Sequence, residues 1–362
     1  MNTRSDLATK TKIEHHLPPA TNSRRRPDAR LMVLKKEQNT IELSRLDRLP
    51  LYLGKDDVII ANDAATIPAS FVGMTCDHTK VEIRLLAPML SENPTLQSQS
   101  FFSELWEAFA LNHLDWQTPT EERQLPSPLQ AGSLIRIGRD LMIRIVAVDL
   151  VHSARFVCQL IPAGGQSLST VIYRYGKPIQ YSYHETELDL WDVQTPFASM
   201  PVSLEAPSSG FHFTADLKRR IQETAKLSFI THSTGVSDTG SEALNQLLPR
   251  PEFYHIPSEV YDKMANASRS GGNVIAIGTG VTRAIESAKS EQQREGRTDL
   301  IIDPNHKLRT VGGILTGMHE PGSSHWKLLQ AFVTDELLYQ AFDLARKEGF
   351  LWHEYGDAML II

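Results

Sequence analysis

Cysteine, long apolar runs and surplus positive charge are all scarce in this chain, and each shortage closes a class of function. Two cysteines, Cys76 and Cys158, in 362 residues make at most one bridge. The chain is therefore no disulfide-built scaffold, and the compartment expected is the reducing cytoplasm. No apolar run approaches the ~18 residues of a membrane-crossing helix, and no signal-peptide core follows the start, so no membrane partner is expected. The 37 basic residues are outnumbered by 43 acidic ones. A net charge of −6 carries no overall footprint for nucleic acid, although a local basic patch stays open. Thirteen histidines occur without an H-E-x-x-H pair or a paired-cysteine site, and His319 and His325 straddle a loop. No metal is expected. A G-x-S-x-G elbow is also absent, which leaves a hydrolase triad without support.

What is present is ordinary for a globular protein: 41% hydrophobic and 22% charged residues, in a length with room for two domains. Residues 1–27 are polar and carry Arg24-Arg-Arg26, which reads as a solvated, poorly ordered tail. Arg30-Leu-Met-Val-Leu34 and Asp57-Val-Ile-Ile60 read as strands. Short alternating runs follow, at Val81–Leu85, Leu134–Ile137, Leu141–Val146 and Phe156–Leu160, separated by turn residues. That spacing predicts a small antiparallel barrel or sandwich over residues 73–174. From residue 175 onward helix and strand patterns alternate, which predicts an α/β domain made of residues 28–72 and 175–362. A monomer is expected.

Three segments concentrate the chemistry. The C-terminus, Leu351-Trp-His-Glu-Tyr-Gly-Asp-Ala-Met-Leu-Ile-Ile362, runs apolar to its last residue. It reads first as a core strand with a polar approach, which would fix His353, Glu354, Tyr355 and Asp357 at the mouth of a sheet. Gly271-Gly-Asn-Val-Ile-Ala-Ile-Gly-Thr-Gly-Val-Thr-Arg-Ala-Ile-Glu-Ser287 reads as strand, tight turn and helix. Gly278 and Gly280 permit a sharp turn and close approach, and the free N–H groups of the helix start suit a carboxylate or phosphate. Arg283 stands where a dinucleotide fingerprint needs its third glycine, so the nucleotide signal is weak by itself. In the third segment an apolar run ends at Thr316. A polar loop with His319 and Glu320 follows, and helix resumes near His325. Trp191, Trp326 and Trp352 read as core or cleft walls, and His212, between Phe211 and Phe213, reads as a satisfied core histidine.

Together these segments resemble the S-adenosylmethionine:tRNA ribosyltransferase-isomerases of queuosine biosynthesis. The resemblance covers nearly the whole chain from residue 28 onward. It rests on Asn62-Asp63 with Ile67-Pro68-Ala69, Pro207 with Gly210-Phe-His-Phe-Thr214, and Glu252 with Ile256-Pro257. It continues through Val274–Thr279, Arg283–Ser287, Thr298-Asp299, Leu315-Thr316, His319, Pro321, Ala331-Phe332 and Tyr355–Ile361. It implies an inserted β-barrel for residues 73–174. There are departures. The family's N-D-T-R-V-I-P-A-R has Ala65 and Ser70 at its two arginines, and its P-L-P-P-Y-I stretch reads Lys177-Pro-Ile-Gln-Tyr-Ser-Tyr183. The two histidines of H-x-M-H-x-E are missing before Glu252, where Pro249 and Arg250 stand, and L-H-V-G-L-G-T-F is blurred into Thr231–Ser237. The pattern is that of a divergent paralogue group.

The resemblance implies that S-adenosylmethionine serves as ribosyl donor. A base removes a C5′ hydrogen acidified by the sulfonium, the ribose opens, adenine departs, an amine takes the rearranged unit, and methionine leaves. The implied acceptor is 7-aminomethyl-7-deazaguanine in tRNA. Asp63, His212, His319 and Asp357 lie in matching motifs and suit proton transfer or a cation. Gly278, Thr279 and Gly280 suit the methionine carboxylate, with Arg283 as an alternative anchor. Thr316, Glu320 and Tyr355 complete the expected substrate-binding set. Two alternatives stand beside this: the same donor chemistry on a small-molecule amine, and a non-catalytic nucleotide-binding protein.

Overall fold

The computed structural model describes residues 17–21, 28–89, 102–123, 126, 128–246, 248, 250–352 and 354–362. The Arg24-Arg-Arg26 run, Pro249 and His353 lie outside these.

Among the described residues the chain opens with strands β1 (Arg30–Lys35), β2 (Thr40–Arg45), β3 (Val58–Asn62) and β4 (Ala64–Thr66). Six strands follow: β5 (Ser70–Met74), β6 (Lys80–Pro88), β7 (Leu105–Asn112), β8 (Leu134–Ile137), β9 (Leu141–Val148) and β10 (Arg155–Pro162). Then come α1 (Leu168–Tyr175), β11 (Met200–Ser203), α2 (Ala215–Thr224), β12 (Lys226–His232), α3 (Glu242–Asn245) and β13 (Glu252–His255). The last third holds α4 (Ser258–Ser270), β14 (Val274–Ile277), α5 (Thr279–Ser287), β15 (Glu295–Thr298) and β16 (Gly313–Gly317). It ends with α6 (Ser324–Leu329), α7 (Asp335–Lys347) and β17 (Ala358–Ile361).

Nine strands form one mixed sheet in the order β15-β13-β12-β3-β14-β16-β17-β1-β2. The pairs β12–β3, β3–β14, β14–β16 and β1–β17 are parallel. The apolar C-terminus is indeed an interior strand, with β16 on one side and β1 on the other. The period of two explains why β1 is apolar throughout. Met32 and Leu34 pack with Met264, Val281, Ile285 and Leu338 on one face. Leu31 and Val33 pack with Leu217 and Ile221 on the other. A strand covered on both faces has no polar side to alternate. The sheet is thus the middle of an α/β/α sandwich.

Strands β5 to β10 close into an antiparallel barrel around Phe71, Trp106, Phe109, Ile143 and Phe156. Val171 and Ile172 of α1 pack against that same core. The fold is therefore an α/β domain with an inserted small antiparallel barrel. The alternating runs pointed to four of the barrel strands. They did not show β7, because Trp106 and the run Ala108–Leu111 are all buried and carry no alternation.

Two expectations change. Residues 17–21 do not belong to a solvated tail: Leu17 is buried in the sheet core, and the Ala20 N–H donates to the Trp352 carbonyl at 3.0 Å. Trp191 is no wall, being 85% exposed, whereas Trp326 is buried. β11 pairs with β4 in a separate two-stranded sheet. No helix among the described residues is long and apolar enough to cross a membrane.

Candidate active site

The C-terminal ends of β3, β12, β14 and β16 lie along one edge of the sheet, where open α/β sheets bind ligands. Because β17 runs antiparallel to β16, with Ala358 beside Gly317, Tyr355 and Asp357 arrive at this same edge.

The turn after β14 is fixed from several sides. Gly278 has φ +94°, and its N–H donates to the Leu315 carbonyl at 2.7 Å. A Cβ there would stand 3.1 Å from Ser209 Oγ, so the turn abuts the Pro207–Thr214 segment. A Cβ on Gly280 would come within 2.8 Å of His232 Nδ1. Glycine at both places lets α5 begin against its neighbours, with the N–H groups of its first turn unbonded inside the helix. Thr279 is half-buried at that start.

Behind the turn lies a buried charge cluster. His232 Nε2 is 3.1 Å from Glu252 Oε2, the Arg283 guanidinium donates to the same carboxylate, and the Gly235 N–H donates to its other oxygen at 2.8 Å. Burial pushes the Glu252 carboxyl up, but His232 and Arg283 outweigh it and bring it to about 2. Arg283 Nε donates to the Leu300 carbonyl at 2.8 Å, and its Nη2 is buried without a hydrogen-bond partner among the described residues. The guanidinium is anchored through two of its nitrogens, and the third is a buried donor left unsatisfied by the described residues.

The loop after β16 adds a second pair. His319 Nε2 is 2.7 Å from Thr316 Oγ1, and its ring stacks on His325 with centroids 4.7 Å apart and planes at 13°. Burial, followed by the Arg283 charge, lowers the His325 pKa below its ordinary value, so this ring is neutral near pH 7. The Glu320 carbonyl accepts from the Ser323 hydroxyl at 2.8 Å, which steadies the entry to α6.

Asp63 follows β3. It accepts from Thr231 Oγ1 at 2.7 Å and from Ser199 Oγ at 3.2 Å, and burial raises its pKa. The neighbouring Asn62 side chain clamps the His232 backbone, donating to its carbonyl at 2.8 Å and accepting from its N–H at 3.0 Å.

The remaining expected residues knit the C-terminal approach to the rest. Thr214 caps α2 by accepting from the Leu217 N–H, which fixes the Phe211-His-Phe213 run ahead of it. His212 is buried, with Nε2 2.9 Å from the Gly356 carbonyl. Tyr355 stacks on Phe211 at 4.7 Å and donates to the Asp192 carbonyl at 2.6 Å. Asp357 is held differently from a group awaiting a substrate. Its oxygens accept from Arg30 N at 2.9 Å, Arg30 Nη2 at 2.6 Å and Leu351 N at 2.9 Å, and its side chain is fully buried. The geometry gives Asp357 a positioning task, tying β1 to the Tyr355 turn.

The structure therefore brings Gly278, Thr279, Gly280, Arg283, Thr316 and His319 to one edge, beside Asp63, His212 and Tyr355. The sequence reading did not single out His232 as a partner of Glu252, or Arg30 as the holder of Asp357. It also passed over Glu205, which precedes the Pro207 motif by two residues. No group of three histidine, cysteine, aspartate or glutamate side chains among the described residues is placed to hold a metal. Two surface cavities that share Lys36, of about 520 and 450 Å³, lie by the opposite ends of β1 and β16.

The arrangement has known relatives. The family described as "Queuosine biosynthesis protein" matches residues 11–361. An S-adenosylmethionine:tRNA ribosyltransferase-isomerase of Thermus thermophilus is 30% identical over 365 residues, covering 96% of this chain and 98% of its own. The enzyme of that name from Syntrophus aciditrophicus is 29% identical, over 93% and 94% of the two chains. The crystal structure of an S-adenosylmethionine tRNA ribosyltransferase from Thermotoga maritima shares the fold, with a TM-score of 0.50 and 21% identity over 96% of this chain and 98% of that one.

Proposed function

The chain belongs to the queuosine biosynthesis protein family, and on that premise we propose that it is an enzyme taking S-adenosylmethionine as ribosyl donor. It transfers and isomerises the ribosyl unit onto an amine, releasing adenine and methionine. The observation that supports this reading is the buried, unpartnered Arg283 Nη2 behind the start of α5. A methionine carboxylate bound by the guanidinium and the first-turn N–H groups would be held by two complementary donors. Around that anchor stand groups suited to proton traffic. Asp63, with its raised pKa, is a base for the C5′ hydrogen. The stacked His319 and His325 offer a donor for departing adenine. His212 and Tyr355 shape the opposite wall, and Thr316 and Glu320 orient the loop that carries His319.

A small amine is favoured over tRNA as the acceptor by the fate of the charges near the altered motifs. Lys177 is paired with Glu187, and Arg250 donates to Glu107 at 2.7 Å. Ser70 donates to Glu82, whose carboxylate already holds Arg84 and Arg123. A cation that must first leave a carboxylate gains less from a phosphate contact. The test is incubation with S-adenosylmethionine, with and without tRNA, and mass spectrometry of the small products. Adenine with methionine is the expected pair; methylthioadenosine or S-adenosylhomocysteine would mean other sulfonium chemistry.

A further inference from the structure

The edge of the sheet opposite the donor site carries a cationic hollow that has no task in the donor chemistry. Because β1 runs parallel to β17, with Leu34 beside Ile361, its end reaches that opposite edge. Lys36 follows β1 there and lines both surface cavities, of about 520 and 450 Å³. The smaller one is walled on its other side by residues 306–312, the loop that leads into β16. Its lining holds Lys36, Lys307, Arg309 and His306, and no aspartate or glutamate among the described residues. In a chain of net charge −6, three cations around one hollow without a carboxylate are a local inversion of sign.

Both walls are fixed. Glu286 of α5 is buried, and its carboxylate accepts the N–H groups of Arg309, Thr310 and Val311 at 2.9 Å each. The Arg309 guanidinium donates to the Glu286 carbonyl, and its Nε lies 3.7 Å from the carboxylate. The Glu286 charge is thereby engaged by the loop backbone and by Arg309. On the other wall the Lys36 N–H donates to the Ile362 carbonyl at 2.8 Å, and its ammonium donates to the Gly312 carbonyl at 2.5 Å. That bond takes one of the three donors of the ammonium. Neither Lys36 nor Lys307 forms an ion pair with a described residue. Burial lowers the Lys36 pKa, and the charge of Glu37, beside the larger cavity, offsets this only in part. A half-buried ammonium without a counter-charge, next to a second unpaired lysine, is short of negative charge.

We propose that this hollow is a second ligand site, separate from the donor edge, which takes a small multivalent phosphoryl anion held by Lys36, Lys307 and Arg309. A single carboxylate carries one charge, whereas a phosphoryl group turns several anionic oxygens toward donors that converge from two segments. A small ligand is favoured over the phosphate chain of RNA because Lys36 is half-buried in a concave wall and the chain as a whole repels a polyanion.

The full chain is titrated by calorimetry with pyrophosphate and with acetate at one constant ionic strength, with and without saturating S-adenosylmethionine. Pyrophosphate should bind more tightly than acetate by about tenfold or more and should raise the melting temperature, and saturating donor should leave its affinity in place. Lys36→Gln and Lys307→Ala should each weaken pyrophosphate by about fivefold or more. Lys80→Ala, at an exposed position where β6 of the barrel begins, should leave it unchanged. Lys307 is exposed, so its alanine variant serves if Lys36→Gln melts early. Equal binding of the two anions, or the same loss in the Lys80 variant, would mean diffuse attraction and overturn the proposal. Displacement of pyrophosphate by S-adenosylmethionine would move the anion to the donor edge and overturn it equally. A tRNA affinity that falls in the Lys36 and Lys307 variants would give the hollow to nucleic acid, against the proposal. Adenine release in the same samples reports the donor reading separately: its absence sinks that reading and leaves a selective pyrophosphate site standing.

Discussion

Arg283 of α5 and Glu252 of β13 form a buried ion pair that ties the helix after the glycine turn to the outer part of the sheet. His232 completes the cluster by lying between Glu252 and Gly280. The start of α5 is thereby held by charge as well as by packing.

Glu252→Gln should destabilise the protein by about 3–5 kcal/mol, because the guanidinium stays behind in a buried place without its counter-charge. The wild-type carboxyl lies at about 2, against its ordinary 4.5. A group depressed on folding contributes stability that is complete above its unfolded value and drains as pH falls through the folded one. Urea titrations between pH 6 and 2 should therefore show wild type losing its advantage over the glutamine variant as pH drops from about 4.5 toward 2. Parallel curves over that range would mean the pair adds nothing.

Gly280→Ala should damage the donor edge locally. The new Cβ would stand 2.8 Å from His232 Nδ1, well inside contact distance, so either the imidazole or the first turn of α5 must move. The expected outcome is at least a tenfold loss of S-adenosylmethionine affinity by calorimetry, with most of the melting temperature retained. An alanine variant that binds as wild type does would detach the α5 start from the donor.

His319 and Asp357 should separate cleanly under substitution. His319→Ala removes a ring positioned by Thr316 and His325 and should lower turnover about 10²-fold at unchanged melting temperature, as for a lost proton-transfer group. Asp357→Asn strands the Arg30 guanidinium and should cost on the order of 2 kcal/mol of stability, with near-normal turnover per folded molecule. The reverse pattern in paired melting and rate measurements would exchange their roles.

What the sequence revealed, and what it hid, follows from distance along the chain. Gly278 and Gly280 between an apolar run and a helical period announce strand, turn and helix within a few residues. The apolar C-terminus announces a buried strand in the same local way. Arg30 and Asp357 are 327 positions apart, and no local pattern couples them. His232, Glu252 and Arg283 come from three elements, and the segment around His232 is the one whose family motif is blurred. Tyr181 and Glu205 are 24 positions apart and belong to no common spacing. Periodicity shows which side of an element is buried; it does not show which buried polar groups will meet.

Glu205 makes a prediction on the alkaline side. Burial raises its carboxyl from an ordinary 4.5 to about 7, so the folded state binds the extra proton across that window. Stability falls as pH rises through it, and the cost is complete above about 7. Glu205→Gln should match wild type near pH 4 and exceed it in melting temperature at pH 8. A difference that stays constant between those values would show that the carboxylate is already compensated.

The acceptor is decided by electrostatics that salt can titrate. A protein that neutralises several phosphates releases counterions, so its affinity falls steeply with ionic strength, by roughly 0.7 to 0.9 of a decade per contact per decade of salt. This chain carries a net charge of −6, and its two extra cations near the altered motifs, Lys177 and Arg250, are each paired with a glutamate. Each would have to leave a carboxylate before it could serve a phosphate, which subtracts from any gain. Filter binding to tRNA over 50–300 mM salt should therefore give weak binding at physiological salt and a shallow slope. Lys177→Ala and Arg250→Ala should leave that slope unchanged, since each cation is already engaged by a glutamate. A steep slope that falls by about one contact in either variant, together with ribosyl incorporation into tRNA, would return the anticodon to its place as acceptor.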